Sequence, residues 1–189
     1  MRFPIRLCHV IELIPTSIQT KSLILAAHLP RYLRALLRST EEFENTSGLR
    51  VADGIREQLL SASPDFMARL ENAKEPDPWR FGFAIIHKID NVLIGMCGLP
   101  GPPDSNGVAE IAYGIAPNYQ GRGYATEAAM ALIEFVASDS RVETICAHTL
   151  TETNASTRVL EKCGFRKVGD AVDPENNLPI WRWERAVTS

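Results

Sequence analysis

The sequence predicts a single α/β domain, a sheet flanked by helices, and three observations point to it. After residue 79 the apolar residues Phe81, Phe83, Ile85 and Ile89 recur at period two, the alternation of a strand with one buried face. From residue 125 the spacing becomes Ala125, Ala128/Ala129, Leu132/Ile133 and Val136, the i, i+3/i+4, i+7/i+8 stripe of an amphipathic helix. The chain has 189 residues, 45% hydrophobic and 23% charged, which suits one globular domain with a sizeable core.

Residues 1–75 read as an N-terminal strand and helices. Ser17 is placed to cap a helix running through Lys21, Leu25 and Leu29, which Pro30 would end or kink. Ser63-Pro64 is a second start signal, a capping residue followed by proline at the first helical position. Two prolines in Glu75-Pro76-Asp77-Pro78 close this region. Strands then follow, with a tight turn at Asp90-Asn91 and a return over residues 92–99. Residues 101–107 are a loop on composition, and a third strand spans 108–116, stopping at Pro117. A glycine-rich turn leads into a helix over 126–138, a strand over 142–150 and a helix over 155–163. Gly164 stands where a helix commonly ends in a left-handed residue. Residues 165–171 and 180–187 complete the strands, with Trp181 and Trp183 alternating with Arg182 and Glu184 as sheet packing.

Charge and cysteine usage exclude several classes. Twenty Lys and Arg against 23 Asp and Glu leave a net charge of −3, a poor basis for capturing nucleic acid. Cys8, Cys97, Cys146 and Cys163 form no C-x-x-C pair, so buried reduced thiols are expected rather than a zinc knuckle or disulfide scaffold. The longest apolar stretch, residues 23–29, is interrupted by His28 and is far short of the roughly 20 residues that span a bilayer. Arg2 and Arg6 precede Glu12, which breaks any signal-peptide core, so a cytoplasmic location and no membrane partner are expected. His9, His28 and His87 have no ligand spacing with acids or thiols, and no metal is expected. A monomer or homodimer is expected.

The stretch that carries chemistry is Asn118-Tyr119-Gln120-Gly121-Arg122-Gly123-Tyr124-Ala125-Thr126-Glu127. A helix beginning just after two glycines exposes unpaired N–H groups at its positive end, and residues without Cβ let an anion approach that backbone. This describes a phosphate site, although the same glycines also suit a plain tight turn. A P-loop would need Lys after its second glycine, and a dinucleotide fingerprint a third glycine where Thr126 stands. Both motifs fail. The absence of G-x-S-x-G argues against a hydrolase elbow.

Gln120-Gly121-Arg122-Gly123-Tyr124-Ala125 resembles the acyl-CoA pyrophosphate signature Q/R-x-x-G-x-G/A of the GNAT superfamily of N-acetyltransferases. The flanks Ile111-Ala112-Tyr113-Gly114-Ile115 and Thr126-Glu127-Ala128 agree with it. Leu160-Glu161-Lys162-Cys163-Gly164-Phe165 is similar to a second element of that family, in family order. The resemblance runs from about residue 79 to the C-terminus and is closest to the branch of ribosomal-protein N-terminal acetyltransferases. It implies a GNAT-like mixed, mostly antiparallel central sheet flanked by helices, with residues 79–189 as an acetyl-CoA-binding core and residues 1–75 on the acceptor side.

The resemblance further implies that backbone N–H groups from Gly121 through Gly123, Tyr124 and Ala125 to Thr126 hold the pyrophosphate of acetyl-CoA. Gln120 belongs to the same signature. The backbone of Ile115 and Ala116 would pair with the pantetheine arm, and Arg122 would add a charge-assisted phosphate contact. Asn154 and Ser156, at the start of the later helix, are candidate cofactor contacts, although Asn154 also suits a plain cap.

Glu110 is the first choice for general base. In a regular strand it shares a face with Ala112, Gly114 and Ala116, all small, while Ile111, Tyr113 and Ile115 pack the other side. A cavity beside a carboxylate results, suited to deprotonating an ammonium directly or through water. A bulge would change that register. Family members often place a tyrosine acid where this chain has Leu160, which leaves Tyr113 or a water to protonate the thiolate, or no acid at all, because the CoA thiolate is already a good leaving group. Glu127 is expected to stabilise the first helical turn. His148 is expected to be a hydrogen-bonded core residue more readily than a base. The expected activity is acetyl transfer from acetyl-CoA to a primary amine, a peptide or protein α-amino group or a small amine, by direct attack. The alternatives are a non-catalytic acyl-CoA-binding or sensing module and a nucleotide-binding fold.

Overall fold

The computed structural model describes residues 16–174 and 176–187; Arg2, Arg6, Cys8, His9 and Glu12 lie outside that range. Among the described residues a hairpin comes first, β1 (Ser17–Gln19) and β2 (Leu23–Ala27), where the spacing predicts a helix. All five β2 residues are buried. A strand covered on both faces shows no alternation, so LILAA cannot be told from a helical segment by pattern. Pro30 starts a helix rather than ending one, because α1 (Pro30–Arg38) holds it in the first turn, where no N–H is needed.

Then follow α2 (Thr40–Ser47), β3 (Arg50–Val51), α3 (Ile55–Leu60) and α4 (Pro64–Asn72). Ser63 caps α4 as its sequence predicts, accepting from the Phe66 N–H at 3.2 Å. Pro78 opens a further short helix, α5 (Pro78–Phe81), capped by the Asp77 carboxylate. Phe81 is therefore helical, and the strand β4 (Phe83–His87) begins later than the period-two run predicts. Ile89, counted with that run, lies in the turn and is 89% exposed. The turn at Asp90-Asn91 and its return strand β5 (Val92–Gly98) form as expected.

The predicted strand over 108–116 is two strands, β6 (Val108–Glu110) and β7 (Ala112–Ile115), which belong to different sheets. β7 completes a six-stranded sheet along β5, in antiparallel register Gly95↔Ile115 to Gly98↔Ala112. β6 joins a four-stranded sheet, where Glu110 pairs in parallel with Cys146. Ile111 is the crossing point, its N–H still donating to Cys146 O at 2.9 Å. The expected mixed, mostly antiparallel arrangement is present, divided between two sheets that part beyond this residue.

The helix α6 (Tyr124–Ala137) buries Ala128, Ala129, Leu132, Ile133 and Val136, the predicted stripe. Its half-buried Phe135 ring meets the fully buried Phe83 ring edge-on at 5.1 Å, and burying a ring such as Phe83 contributes ~1.5–3 kcal/mol. Glu127 ties this helix to the first hairpin, accepting from Thr20 Oγ1 and Ser22 N, each at 2.6 Å. Against the upward push of burial, these hydrogen bonds hold its carboxyl below the usual range.

The chain ends in β8 (Thr144–Leu150), α7 (Ala155–Lys162), β9 (Arg166–Val172) and β10 (Pro179–Ala186). Trp183 is buried and donates to Thr149 Oγ1 at 3.0 Å, while Lys167 Nζ lies 3.8 Å from the Trp181 ring. Cys97, Cys146 and Cys163 are buried free thiols. Among the described residues no helix is long and apolar enough to cross a membrane, and no group of three His, Cys, Asp or Glu is placed to hold a metal.

Candidate active site

The glycine-rich turn connects β7 to α6 and ends on an open helix N-terminus. Gly121 and Gly123 have φ of 74° and 85°, in the left-handed region that glycine adopts without strain. A Cβ on either would meet nothing within 4 Å, so neighbouring protein atoms do not demand glycine there. Their conformation and bare outer face are what the sequence secures. Gly123 is the N-cap of α6 and supplies no side chain to satisfy the first N–H groups. These groups face a cavity of about 430 Å³, walled by Gln120, Gly121, Gly123, Tyr124, Ala125 and Thr126. Ser156, Arg158 and Lys162 of α7 line the opposite side. Arg158 and Lys162 add two cations, the first in no motif and the second within the Leu160–Phe165 element, where its place in the cavity wall is not evident from sequence.

Both ends of the turn are fastened to the β4–β5 hairpin. Tyr119 donates from its hydroxyl to Asp90 Oδ2 at 3.1 Å, and Tyr124 Oη lies 2.9 Å from His87 Nε2. His87 Nδ1 lies 3.0 Å from the same Asp90 oxygen. His87 therefore has a positioning role that its spacing in the sequence does not reveal. Two tyrosines bracketing the glycines are the only local signal for it. Arg122 lies over the Tyr119 ring, 5.4 Å from its centroid, and does not line the cavity.

The structure redistributes the strand contacts expected of Ile115 and Ala116. Ala116 donates its N–H to Ile94 O at 2.8 Å and accepts from Tyr119 N at 2.9 Å, so its N–H is taken and only the second lone pair of its carbonyl is open. Because an antiparallel ladder alternates, the backbone groups of Ile115 and Tyr113 point away from β5, into the opening between the sheets. Ile115 O accepts from Gln120 Nε2 at 2.9 Å. Asn154 is a helix cap, its Oδ1 accepting from Ser156 N at 2.9 Å and Thr157 N at 3.2 Å. It does not line the cavity; Ser156 does.

A second cavity of about 710 Å³ lies on the other side of β7, and Glu110, Ala112, Gly114 and His148 line it. Of the face predicted to hold Glu110, Ala112, Gly114 and Ala116, the first three line this cavity past the break at Ile111, whereas Ala116 is buried and Tyr113, expected on the other side, lines it too. His148 Nδ1 lies 2.8 Å from Glu110 Oε1. His148 is not a core residue but the partner of the predicted base. Glu110 pairs with Cys146, and His148, two residues further along β8, presents to the same face. The Glu110 side chain remains 41% exposed.

Tyr113 donates from its hydroxyl to Ser156 O at 3.2 Å, and burial pushes its phenol well above the usual range. It therefore stays protonated near pH 7 and acts as a hydrogen-bond donor rather than as a strong acid. Leu160 is 1% exposed in the core and reaches no reacting group. Cys97 lines the larger cavity, but burial pushes its thiol up as well, so it presents no thiolate nucleophile. The two cavities share Gln58, Tyr113 and Gly114. A Cβ on Gly114 would lie 2.5 Å from Gln58 Nε2, so the glycine lets the Gln58 amide sit at this junction. Gln58 belongs to the N-terminal region and matches no motif.

The GNAT acetyltransferase domain family matches residues 24–166 of the chain. The chain belongs to the GNAT acetyltransferase family. The GNAT match begins in β2, well before residue 79, where the sequence motifs alone place its start. An uncharacterised N-acetyltransferase of Bacillus subtilis, YjdG, is 33% identical over 102 residues, 53% of this chain and 58% of the relative. The chain thus spans little more than half the length of that curated relative. Another from the same organism, YoaA, is 30% identical over 131 residues, 69% of this chain and 71% of its own. Among solved GNAT structures, the ribosomal L7/L12 α-N-protein acetyltransferase RimL, in complex with coenzyme A, superposes with a TM-score of 0.62 at 16% identity. That superposition covers 91% of this chain and 98% of RimL and shows the shared fold.

Proposed function

We propose that this chain transfers acetyl from acetyl-CoA to a primary amine by direct attack. The observation that carries this reading is the meeting of two cavities at Gln58, Tyr113 and Gly114. One is walled by an open helix N-terminus and cations, suited to a pyrophosphate. The other holds a carboxylate–imidazole pair. Donor and acceptor bound on opposite sides of β7 would meet at that junction.

Acetyl-CoA supplies a reactive thioester; the chain's residues bind, orient and move protons. The N–H groups from Gly121 to Thr126, with Arg158 and Lys162, bind the pyrophosphate, and Arg122 braces the turn through Tyr119. The backbone of Tyr113 and Ile115 takes the place first given to Ala116 beside the pantetheine. Glu110, held by His148, removes a proton from the acceptor ammonium, directly or through one water. The amine then attacks the thioester carbonyl. Backbone N–H at the opening stabilises the oxyanion, and positioning of two bound partners supplies much of the remaining acceleration. As the C–S bond breaks, the surplus proton left on the attacking nitrogen passes through a water to the departing thiolate, which Tyr113, its phenol staying protonated, can hydrogen-bond. Residues 1–75 and 79–189 are read as one acetyltransferase domain, the first part walling the acceptor side.

Thiol release from acetyl-CoA across an amine panel tests the reading. Glu110→Gln should lower kcat/KM by about 10²–10⁴-fold while leaving the Kd for coenzyme A unchanged. CoA binding without turnover on any amine, and no effect of this substitution, would instead favour an acyl-CoA-binding module. Thermal stabilisation by ATP or NAD in preference to coenzyme A would favour a nucleotide-binding fold.

A further inference from the structure

Among the described residues, Gln58 and Tyr113 supply the side chains that line both cavities, since Gly114 has none. The Tyr113 hydroxyl already donates to Ser156 O at 3.2 Å. The hydrogen bonds of Gln58 to described residues involve its backbone alone, from its N–H to Gly54 O at 3.1 Å and to its carbonyl from Ser61 Oγ at 2.8 Å. Its side-chain amide, with two N–H donors and an acceptor, stands uncommitted at the junction. Room for it comes from Gly114, where a Cβ would lie 2.5 Å from Gln58 Nε2, 3.1 Å from Cδ and 3.2 Å from Oε1. The amide therefore lies against the bare face of β7.

The helix behind this amide is pinned. Ile55 and Leu59 of α3 are buried in the core. Arg56 donates from Nε to Leu36 O at 3.1 Å and from Nη2 to Leu37 O at 2.9 Å. Val51, just before α3, pairs with Leu93 of β5, the strand that also pairs with β7. Gln58 and the free edge of β7 are thus referenced to one strand, and a side chain on a rigid element holds its aim better than one on a loop.

The chemistry at this junction needs a donor more than a charge. As the amine lone pair forms the N–C bond, the carbonyl π pair moves onto oxygen. It returns when the C–S bond breaks and that bond's pair leaves with sulfur. In between the oxygen is negative, and each N–H aimed at it lowers the barrier. A lysine or arginine here would stabilise that oxygen but repel the acceptor ammonium in the adjoining cavity. A neutral amide opposes neither. We propose that the Gln58 amide donates an N–H to the thioester oxygen in the transition state, alongside the backbone N–H of β7, and is a catalytic residue contributed by the N-terminal region. This rests on the acetyl-transfer reading above.

Single-turnover acetyl transfer from acetyl-CoA to phenethylamine, spermidine or an alanine-terminated tetrapeptide, whichever the wild type uses best, provides the test. Gln58→Met keeps the reach of the side chain without its amide. Gln58→Glu keeps its shape but, when ionised, offers acceptor atoms alone. Each should slow the transfer step by about 10–100-fold, less than the roughly 10²–10³-fold of a fully preorganised oxyanion donor, because Gln58 is exposed. The Kd for coenzyme A and the KM for the amine should stay within about two-fold, the pattern of an interaction made only in the transition state. If Gln58 merely packed the junction, Gln58→Glu would run at nearly the wild-type rate. If it bound the acceptor ammonium, Gln58→Glu would lower the amine KM and leave the transfer step intact. Either result overturns the proposal and leaves acetyl transfer standing. Coenzyme A binding with none of the three amines acetylated by the wild type would sink the acetyl-transfer reading itself, and the inference with it.

Discussion

Glu110 and His148 are separated by 38 positions in the chain, yet lie 2.8 Å apart, because parallel pairing of β6 with β8 aligns their faces. Neither residue type is unusual alone; the register makes them a unit. His28 is the opposite case, a buried histidine whose Nε2 has no hydrogen-bond partner among the described residues. Its folded pKa of about 4 lies below the ordinary imidazole value of 6.5, so between these values the unfolded chain binds a proton that the folded chain refuses. Its contribution is therefore constant above about pH 6.5 and turns against folding as pH falls toward 4. The cumulative penalty is on the order of 3 kcal/mol. Urea unfolding at pH 7, 5.5 and 4.5 should show a steeper acid loss in the wild type than in His28→Leu. Parallel pH profiles of the two proteins would remove this assignment.

At the scale of elements, the pyrophosphate turn is a strap held at both ends. Tyr124→Phe removes its hydrogen bond to His87, worth about 0.5–1.5 kcal/mol. Steady-state kinetics should show a KM for acetyl-CoA raised by about 2–10-fold, with kcat nearly unchanged. A fall in kcat at constant KM would assign Tyr124 to the chemistry instead. The local parts of this site were readable in advance: two glycines and the stripe of α6 lie within a few residues of each other, and both are dictated by short-range geometry. Its other parts were hidden by distance. His87 and Asp90 come from a hairpin, Gln58 from a helix without a motif, and Arg158 and Lys162 from the solvent edge of α7. The same division explains the fold. The α4 cap and the Asp90-Asn91 turn are local and came through. Strand β2 lost its alternation to burial on both faces, and the break at Ile111 is silent because an apolar residue reads alike within a strand or between two.

Across the whole molecule, a chain of net charge −3 binds a polyanion only by concentrating positive potential locally. Coenzyme A affinity should therefore weaken several-fold between about 0.05 and 0.5 M salt, as the Debye length contracts from over ~10 Å to under ~5 Å. Titration calorimetry at the two salt concentrations measures this, and no salt dependence would discount Arg158 and Lys162. Because the ligand would lie between the two sheets, it should also stabilise the folded chain globally. At about 100 times Kd the gain is ~2.7 kcal/mol, or about 5–10 °C in Tm for a chain of this size. A Tm unchanged by saturating coenzyme A would contradict binding at this cleft.

The crossing at Ile111 also sets a limit on how far the reacting groups can drift. Glu110 and Tyr113 stand three residues apart on either side of it, and three residues of extended chain span only about 10 Å. If the sheets spread to admit a bulky donor, Glu110, the proposed proton acceptor, would be carried along on a short covalent leash from β7, the strand proposed to lie against the thioester. Alignment of base and donor is thus an inheritance of chain connectivity, while the distant walls of the acceptor chamber remain free to diverge without disturbing it.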